Sequence, residues 1–330
     1  MQARPALTLA ALLLLALLAC TVGAAAGSSG WGWISAEIFW QIRLPRVLAG
    51  FGAGGALALA GALMQLLTRN ALADPYVLGV SGGASVGALA VMLLGSAGGV
   101  ALLPEWGVAL GAAAGALAAA ALLFLLSWRA LAHSGQLAGA ESSVALLLIG
   151  VMIGAACTAL VSLMLALAPE AQLRGMVFWL LGDLNGATQW ALAWLALLVA
   201  LALAWPWARQ LDWLARGDAW AATLGVAVAR RRRQTLLAAA LATGAAVATA
   251  GAIGFVGLVV PHALRLMGAR QAVLLLPASV LGGGAFVVLA DTVARTALAP
   301  IQLPVGVLAA AVGVPAFLAL LLHRPRGGGR

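Results

Sequence analysis

Arginine is the residue type in this sequence whose chemistry is most informative. All 18 basic residues of the 330-residue chain are arginine, and lysine is absent. A planar guanidinium binds carboxylates and phosphates through paired hydrogen bonds, so arginine is suited to recognising acidic groups. A Walker A loop and a lysine Schiff base both need a lysine amine. We therefore expect no enzyme activity in this chain, and any ATP hydrolysis must come from a partner subunit.

Other reactive residues show no catalytic or metal-binding spacing. Cys20 and Cys157 both lie in apolar runs and fit neither a metal site nor a disulfide framework. Asp291 and His262 are the ionisable residues nearest to the interior of apolar runs, whereas an ion-coupled transporter needs such residues within its membrane spans. We expect no catalytic residue, metal or cofactor, and an energy source outside the chain.

The elements that must position the arginines are membrane helices. Hydrophobic residues make up 64% of the chain and charged residues 8%, whereas soluble domains carry roughly 25% charged residues. This composition excludes a soluble enzyme and a disordered chain. The net charge of +9 comes from arginines in short loops between apolar runs, so we assign it to membrane topology and not to nucleic-acid binding. The sequence predicts an all-α polytopic protein in the lipid bilayer.

The spans follow from the stretches that lack Asp, Glu, Lys and Arg. Nine such stretches are present, at 5–36, 47–68, 75–104, 106–128, 142–169, 184–208, 234–264, 271–290 and 296–323. If arginine-rich loops face the cytoplasm, run 234–264 must cross twice, as one long and one short pass that turn near 251–257. The result is about ten spans in one domain over 1–330, with both termini cytoplasmic.

Residues 1–26 allow three interpretations. A cleaved signal peptide and a lipoprotein cleavage site at Cys20 are alternatives to a first span. We favour the span, because the uncharged run is longer than a signal h-region.

Four arginines fall on the predicted outer side, against the positive-inside bias: Arg43, Arg46, Arg174 and Arg295. We expect three of them to be exposed and available to a partner. Arg43 and Arg46 open the second span, and Arg295 follows Asp291 near the end of the ninth. They could bind acidic groups of a partner protein, with headgroup phosphates or an intramolecular pair as alternatives.

The largest polar segment, at 209–228, predicts two short amphipathic helices lying against a cytoplasmic partner. Leu211, Leu214 and Asp218 follow helical spacing. We expect Asp218 to cap the second helix and Gly225 to end it. An ordinary interfacial loop is the alternative.

An ordered series of motifs runs through nearly the whole chain, from about residue 31 to 323. The motifs are WQIRLPR at 40–46, GALMQ at 61–65, RNALADP at 69–75, LGVSGGASVG at 78–87, GAIGFVGLVVPH at 251–262, ADTVAR at 290–295, LPVG at 303–306 and GVPAF at 313–317. With these motifs the chain resembles the permease subunits of type II ABC importers, which take up cobalamin, ferric siderophores and haem. The cobalamin-type permeases are the most similar.

The resemblance implies a homodimer with a translocation path along its two-fold axis. Two copies of a cytoplasmic ABC ATPase and a periplasmic substrate-binding protein complete the implied importer, which the resemblance places in a bacterial inner membrane. A metal chelate is its substrate, with a corrinoid favoured over a ferric siderophore or haem. An ion-coupled transporter and a membrane enzyme are the alternatives from other classes.

The resemblance also assigns roles to particular residues. It implies that Arg43, Arg46 and Arg295 meet acidic residues of the binding protein, and that a short periplasmic helix lies at 170–183. The implied ATPase contacts are Leu211, Leu214, Arg216, Gly217, Asp218, Leu224 and Gly225. The implied gate residues are Ser81, Gly82, Gly83, Ala84, Ser85, Ser142 and Ser143, although cobalamin-type members often carry Asn where this chain has Gly82.

Overall fold

The computed structural model describes residues 5–27, 30–31, 35–97, 106–133, 140–187 and 189–322. The longer helices are α1 (Pro5–Ala25), α3 (Leu44–Thr68), α4 (Val80–Ala97), α5 (Gly107–His133), α6 (Ala140–Leu167), α8 (Trp190–Ala204), α11 (Val228–Ala250), α13 (Ala272–Thr296) and α14 (Val305–Leu322). The shorter helices are α2 (Ala36–Ile38), α7 (Glu170–Leu180), α9 (Ala208–Arg216), α10 (Asp218–Thr223) and α12 (Val256–Leu266).

Irregular and extended segments connect these helices. A π-helical stretch, Phe39–Arg43, joins α2 to α3, and 3₁₀ turns lie at Pro75–Leu78 and Trp205–Trp207. Two-residue strands β1 (Ala26–Gly27) and β2 (Gly30–Trp31) form a small antiparallel hairpin after α1. The prediction of an all-α polytopic protein is confirmed.

Six helical segments in the described part of the chain are long and apolar enough to cross a membrane. They are Pro5–Ala25, Ala36–Thr68, Gly107–Ser127, Leu147–Leu167, Trp190–Arg216 and Ala272–Thr296. Shorter apolar helices lie at Val80–Gly95, Val256–Leu266 and Val305–Ala319. Together with α11 these segments match the ten predicted spans in order.

The predicted division of run 234–264 is confirmed. Helix α11 has 23 residues and α12 has 11, about 34 Å and 16 Å at the rise of an α-helix. Gly251 ends α11 with a φ of 67°, and Phe255 precedes α12 with a φ of 68°. Positive φ at both positions reverses the chain between the long and the short pass.

The first helix is packed as a member of the bundle. Ala16 and Ala19 of α1 lie in a buried cluster with Val47 of α3 and Val288 of α13. A Cβ atom on Gly23 would come within 2.8 Å of Val288 Cγ1. This packing supports a first span at 5–25.

Glycines allow the central helices to approach each other closely. A Cβ atom on Gly54 of α3 would lie 2.3 Å from the carbonyl oxygen of Gly283 on α13. On α4, a Cβ atom on Gly87 would lie 2.0 Å from the carbonyl oxygen of Gly111 on α5. Small residues at such crossings are typical of membrane helices, whose association depends on close van der Waals packing.

Helices α3 and α13 also define the two ends of the bundle. Arg46 lies in the first turn of α3 and contacts Asp291 near the end of α13, so the two helices are antiparallel. Arg69 follows the other end of α3, near the segment that leads into α13. We refer to these as the Asp291 end and the Asp218 end, after the carboxylates that lie there.

Candidate functional site: arginine clusters at the two ends of the bundle

The Asp291 cluster consists of Arg43, Arg46, Asp291 and Arg295. These residues are only 6%, 7%, 2% and 3% exposed, respectively. Arg46 Nε lies 3.1 Å from both carboxylate oxygens of Asp291, and its Nη2 lies 2.8 Å from Oδ1. Arg295 Nε lies 3.4 Å from Asp291 Oδ2. One buried carboxylate therefore neutralises part of the charge of two arginines.

The remaining donors of this cluster bind backbone and side-chain oxygens. Arg43 Nη1 donates to the carbonyl oxygens of Ala24 at 3.2 Å and Ala25 at 2.8 Å, and Arg295 Nη2 donates to that of Gly23. These carbonyls belong to the last turn of α1, where helix carbonyls lack partners and positive charge is favoured. The cluster thus joins α1, α3 and α13.

The expectation that these three arginines are exposed is corrected by the structure. Arg43, Arg46 and Arg295 are buried and hydrogen-bonded within the chain. The sequence left an intramolecular ion pair open as an alternative, and Arg46 and Arg295 each form one with Asp291. A buried guanidinium is costly unless it is paired and hydrogen-bonded. Asp291 and the α1 carbonyls meet this requirement.

The Asp218 cluster consists of Arg69, Asp218 and Arg232. The Asp218 carboxylate accepts a short hydrogen bond from Arg69 Nη2, and its other oxygen lies 2.9 Å from Arg232 Nη2. The side chains are 30%, 15% and 19% exposed, in that order. This pairing joins the start of α10 to α11 and to the residue after α3.

The expected capping role of Asp218 was wrong. Asp218 is the first residue of α10, Gly217 precedes it, and no side-chain hydrogen bond caps the helix. Two guanidinium groups bind the carboxylate more strongly than a neutral backbone N–H would. The expectation for Gly225 is confirmed, because it follows the last turn of α10 with a φ of 77°.

Helix α9 is fixed to the bundle by apolar and polar contacts. Leu211 and Leu214 are both 4% exposed and belong to the main core. Arg69 Nε donates to the Leu214 carbonyl oxygen at 3.0 Å, and the Asp212 carboxylate accepts the Ala272 N–H at 2.9 Å. Helix α9 is therefore attached to the end of α3 and the start of α13.

The face of α9 and α10 that points away from the bundle has a different character. Arg216, Trp220, Leu224 and Gly225 are exposed, and the Arg216 guanidinium lies 6.0 Å from the centroid of the Trp220 ring. Gly217 joins the two helices with a φ of 144°. Among the residues expected to contact the ATPase, Leu211 and Leu214 therefore face the core, whereas Arg216, Leu224 and Gly225 are available to a partner.

Sequence reasoning missed several residues that build this end. Arg69 and Arg232 were counted only among the loop charges that indicate membrane topology. No role was predicted for Asp212 or Trp220. Arg69 opens the motif at 69–75, which was the available signal for its importance.

The five expected gate residues at 81–85 lie at the start of α4 and are packed against other helices. A Cβ atom on Gly83 would lie 2.4 Å from the carbonyl oxygen of Gly115 on α5, and one on Gly82 would lie 2.8 Å from Cys157 Cβ on α6. Ser81, Ala84 and Ser85 are buried, and Ser85 Oγ donates to the Ser81 carbonyl oxygen at 3.1 Å. Ser142 and Ser143 lie in the first turn of α6, and their side chains are outside the described part of the structure.

Comparison with known proteins confirms the resemblance seen in the motifs. The model of the FecCD transport family matches residues 7–323. The chain is 41% identical to the vitamin B12 import system permease protein BtuC of Escherichia coli O139:H28, over 97% of this chain and 95% of that protein. It is also 41% identical to BtuC of Salmonella typhi, over 98% of each chain.

The fold agrees with a solved transporter structure. That structure is described as an inward-facing conformation of a metal-chelate type ABC transporter, and it superposes with a TM-score of 0.83 at 26% identity. The match covers 97% of this chain and all of the other. The relatives are transport permeases and not enzymes, in agreement with the lack of a catalytic constellation in the sequence. The chain belongs to the FecCD transport family.

Proposed function

We propose that this chain is the permease subunit of a binding-protein-dependent ABC importer that moves a cobalamin-type metal chelate into the cytoplasm. The observation that carries the proposal is the 41% identity to vitamin B12 import permeases over nearly the full length of both chains. Ferric siderophore or haem import by the same architecture is the alternative at the level of the family.

The proposed importer is a homodimer with two ABC ATPases on the cytoplasmic side and a binding protein on the other. We assign the Asp218 end to the cytoplasm and the Asp291 end to the outside. The distribution of arginine supports this orientation, because fourteen of the 18 fall on the first side and only Arg43, Arg46, Arg174 and Arg295 on the second. Both chain termini are then cytoplasmic.

Helices α9 and α10 are the proposed coupling element. The exposed Trp220 and Leu224 offer an apolar surface to the ATPase, and the buried Leu211 and Leu214 hold the element to the bundle. A displacement of this element is transmitted to α3 through Arg69 and to α13 through the bond between Asp212 and Ala272. ATP binding by the partner can thus move two central helices together.

The binding protein docks, in this proposal, at the Asp291 end. Arg43, Arg46 and Arg295 outnumber the nearby carboxylates of Asp291 and Asp183, so the cluster leaves a positive field at this surface that favours acidic residues on a partner. Because the three side chains are buried, we assign them the role of holding the ends of α1, α3 and α13 in place beneath the docking surface.

The proposed gate is formed by the start of α4 and by α6, including Ser142 and Ser143. The contact of Gly82 with Cys157 supports this assignment, since any movement of α6 must be felt at the start of α4. Small side chains at this position can close by packing and open without breaking ion pairs.

Reconstitution in liposomes tests the proposal. The permease is combined with the ATPase and the binding protein encoded beside it, and cyanocobalamin, haem and a ferric hydroxamate are offered separately. We expect import of cyanocobalamin that requires both ATP and the binding protein, with a hydrolysis-deficient ATPase as the control. Import of haem or the hydroxamate instead would favour the alternative, and failure to assemble with the ATPase would contradict the proposal.

A further inference from the structure

A cleft of about 750 Å³ at the Asp218 end carries an unusual concentration of arginine. It lies between the end of α3, helix α9, and the segment that joins α12 to α13. Its charged lining consists of Arg69, Arg209, Arg216, Arg265, Arg270 and Asp212. We call it the arginine cleft.

The charge of the arginine cleft is poorly balanced within the chain. Its one acidic residue, Asp212, already accepts the Ala272 N–H with both carboxylate oxygens, at 2.9 Å and 3.1 Å. Arg265 Nη1 donates to Gln65 Oε1 at 2.9 Å, but its buried Nη2 has no hydrogen-bond acceptor among the residues that the structure describes. Arg69 is paired with Asp218 outside the cleft, so the other four guanidinium groups share a single, partly occupied carboxylate.

Two of the arginines have free donors. Within the described ranges, neither the Arg209 nor the Arg270 side chain has a hydrogen bond or an ion pair, and both residues are exposed. Guanidinium groups that converge on one cavity from different elements suit a compact anion with several acceptor oxygens, and phosphate is such an anion.

The position of the cleft indicates where such a phosphate comes from. Val273 lines the cleft, and its carbonyl oxygen accepts the Trp205 indole N–H at 3.2 Å. Trp205 is 51% exposed and Val273 39%, and exposed tryptophan at the end of an apolar helix is typical of the headgroup level. Leu195 and Leu198 of α8 are also exposed, further along the same apolar helix. A ligand with a phosphate head and an apolar tail matches this arrangement.

We propose that the arginine cleft binds the phosphate of an anionic ligand, with a phospholipid headgroup as the favoured source and free inorganic phosphate as the other. Basic pockets between membrane helices are suited to anionic headgroups of the cytoplasmic leaflet. The cleft is concave and opens beside an apolar helix surface, whereas the exposed Trp220 and Leu224 offer the protein-facing surface of this end. A carboxylate-bearing protein partner is therefore the less favoured occupant.

Lipid retention by the purified, delipidated full-length permease tests the proposal. Dioleoyl phosphatidylglycerol, dioleoyl phosphatidylcholine and inorganic phosphate are titrated separately, and bound molecules are counted by native mass spectrometry. The cleft variant is R209Q/R270Q, and the matched control is R230Q/R233Q, which removes two exposed arginines of α11 outside the cleft. We expect phosphatidylglycerol affinity to fall about fivefold for each cleft arginine removed, and less than twofold in the control.

Each outcome has a definite meaning. Displacement of phosphatidylglycerol by equimolar inorganic phosphate would uphold the phosphate site and identify its source as the free anion. Equal weakening in the cleft variant and the control would overturn the proposal. Unchanged lipid binding with a selective loss of ATPase binding would overturn it as well and assign the cleft to carboxylates of that partner. If the double variant does not fold, Arg270→Gln alone gives the same comparison with a fivefold effect.

Discussion

Each end of α3 carries an aspartate that is ion-paired with two arginines, but the two environments are opposite. At one end Asp291 lies between Arg46 and Arg295, with side-chain exposures of 3% to 8%. At the other end Asp218 lies between Arg69 and Arg232, with side-chain exposures of 15% to 30%. The comparison shows that burial, and not residue type, separates a cluster that holds helices together from one that remains open to partners.

The physical reason for the difference lies in what each cluster costs to disrupt. Removal of one partner from a buried ion pair leaves an uncompensated charge in an apolar environment. When an exposed ion pair loses one member, water hydrates the remaining charge, and the free energy of unfolding changes little. The Asp291 cluster is thus suited to fix the ends of three helices, and the Asp218 cluster can rearrange at little cost when a partner moves α10.

The largest expected effect is on the free energy of unfolding of the Asp291→Asn variant. Asparagine keeps the shape of the side chain but leaves Arg46 and Arg295 without their carboxylate, and we expect a loss of about 3–5 kcal/mol. Denaturant unfolding of the detergent-solubilised permease, followed by circular dichroism, measures the change. Glu37→Gln is the matched control, because Glu37 is an exposed acidic residue near the same end of α3. Equal stability of the two variants would contradict a structural role for the cluster.

A smaller effect is expected at Asp74, in the loop after α3 at the Asp218 end. Burial raises the pKa of this carboxyl to about 6, although the bond from the Tyr76 N–H opposes the rise. The folded chain then binds the proton more tightly than the unfolded chain, whose aspartate pKa is about 3.9. Stability therefore falls as the pH rises from about 4 to 6 and is level above that window.

Asp74→Asn removes this penalty and retains an oxygen that can accept the Tyr76 N–H. We expect the variant to be more stable than the wild type at pH 7.5 by about 3 kcal/mol, and the difference to vanish near pH 4. Unfolding curves of both proteins at pH 4.5, 5.5 and 7.5 measure the effect. A stability difference that does not change with pH would rule out titration of Asp74 as its cause.

The smallest expected effect is the coupling energy between Asp218 and Arg232. A double-mutant cycle with Asp218→Asn and Arg232→Gln should give no more than about 1 kcal/mol, because both side chains are partly hydrated. The same cycle with Asp291→Asn and Arg46→Gln should give a clearly larger value. Coupling energies of equal size at the two ends would remove the distinction between the clusters.

Part of this architecture could be predicted from local patterns. Arginine-rich loops on both sides of run 234–264 require it to cross twice, and the glycines at 251–257 indicate where it turns. Helices α9 and α10 follow from apolar spacing and from Gly225. These features depend on residues close together in the sequence.

The clusters could not be predicted, because their partners are distant in sequence. Arg46 and Asp291 are 245 positions apart, and the acceptors of Arg43 are backbone carbonyls, which no residue type identifies. The capping rule for Asp218 was locally sound, but the arginines that override it come from the end of α3 and from α11. The exposure of each arginine follows from how the helices pack, and composition alone does not specify packing.

The most direct test of the account compares wild-type permease with the Asp218→Asn variant in proteoliposomes that contain the ATPase and the binding protein. The quantity measured is cyanocobalamin imported per ATP hydrolysed. The account predicts import by the wild type, and a folded variant that hydrolyses ATP but imports up to about fivefold less per ATP, because Asp218 holds Arg69, which joins α9 to the end of α3. A wild-type complex that hydrolyses ATP without importing cyanocobalamin would contradict the proposed substrate. A variant that imports as efficiently as the wild type would contradict coupling through the Asp218 cluster.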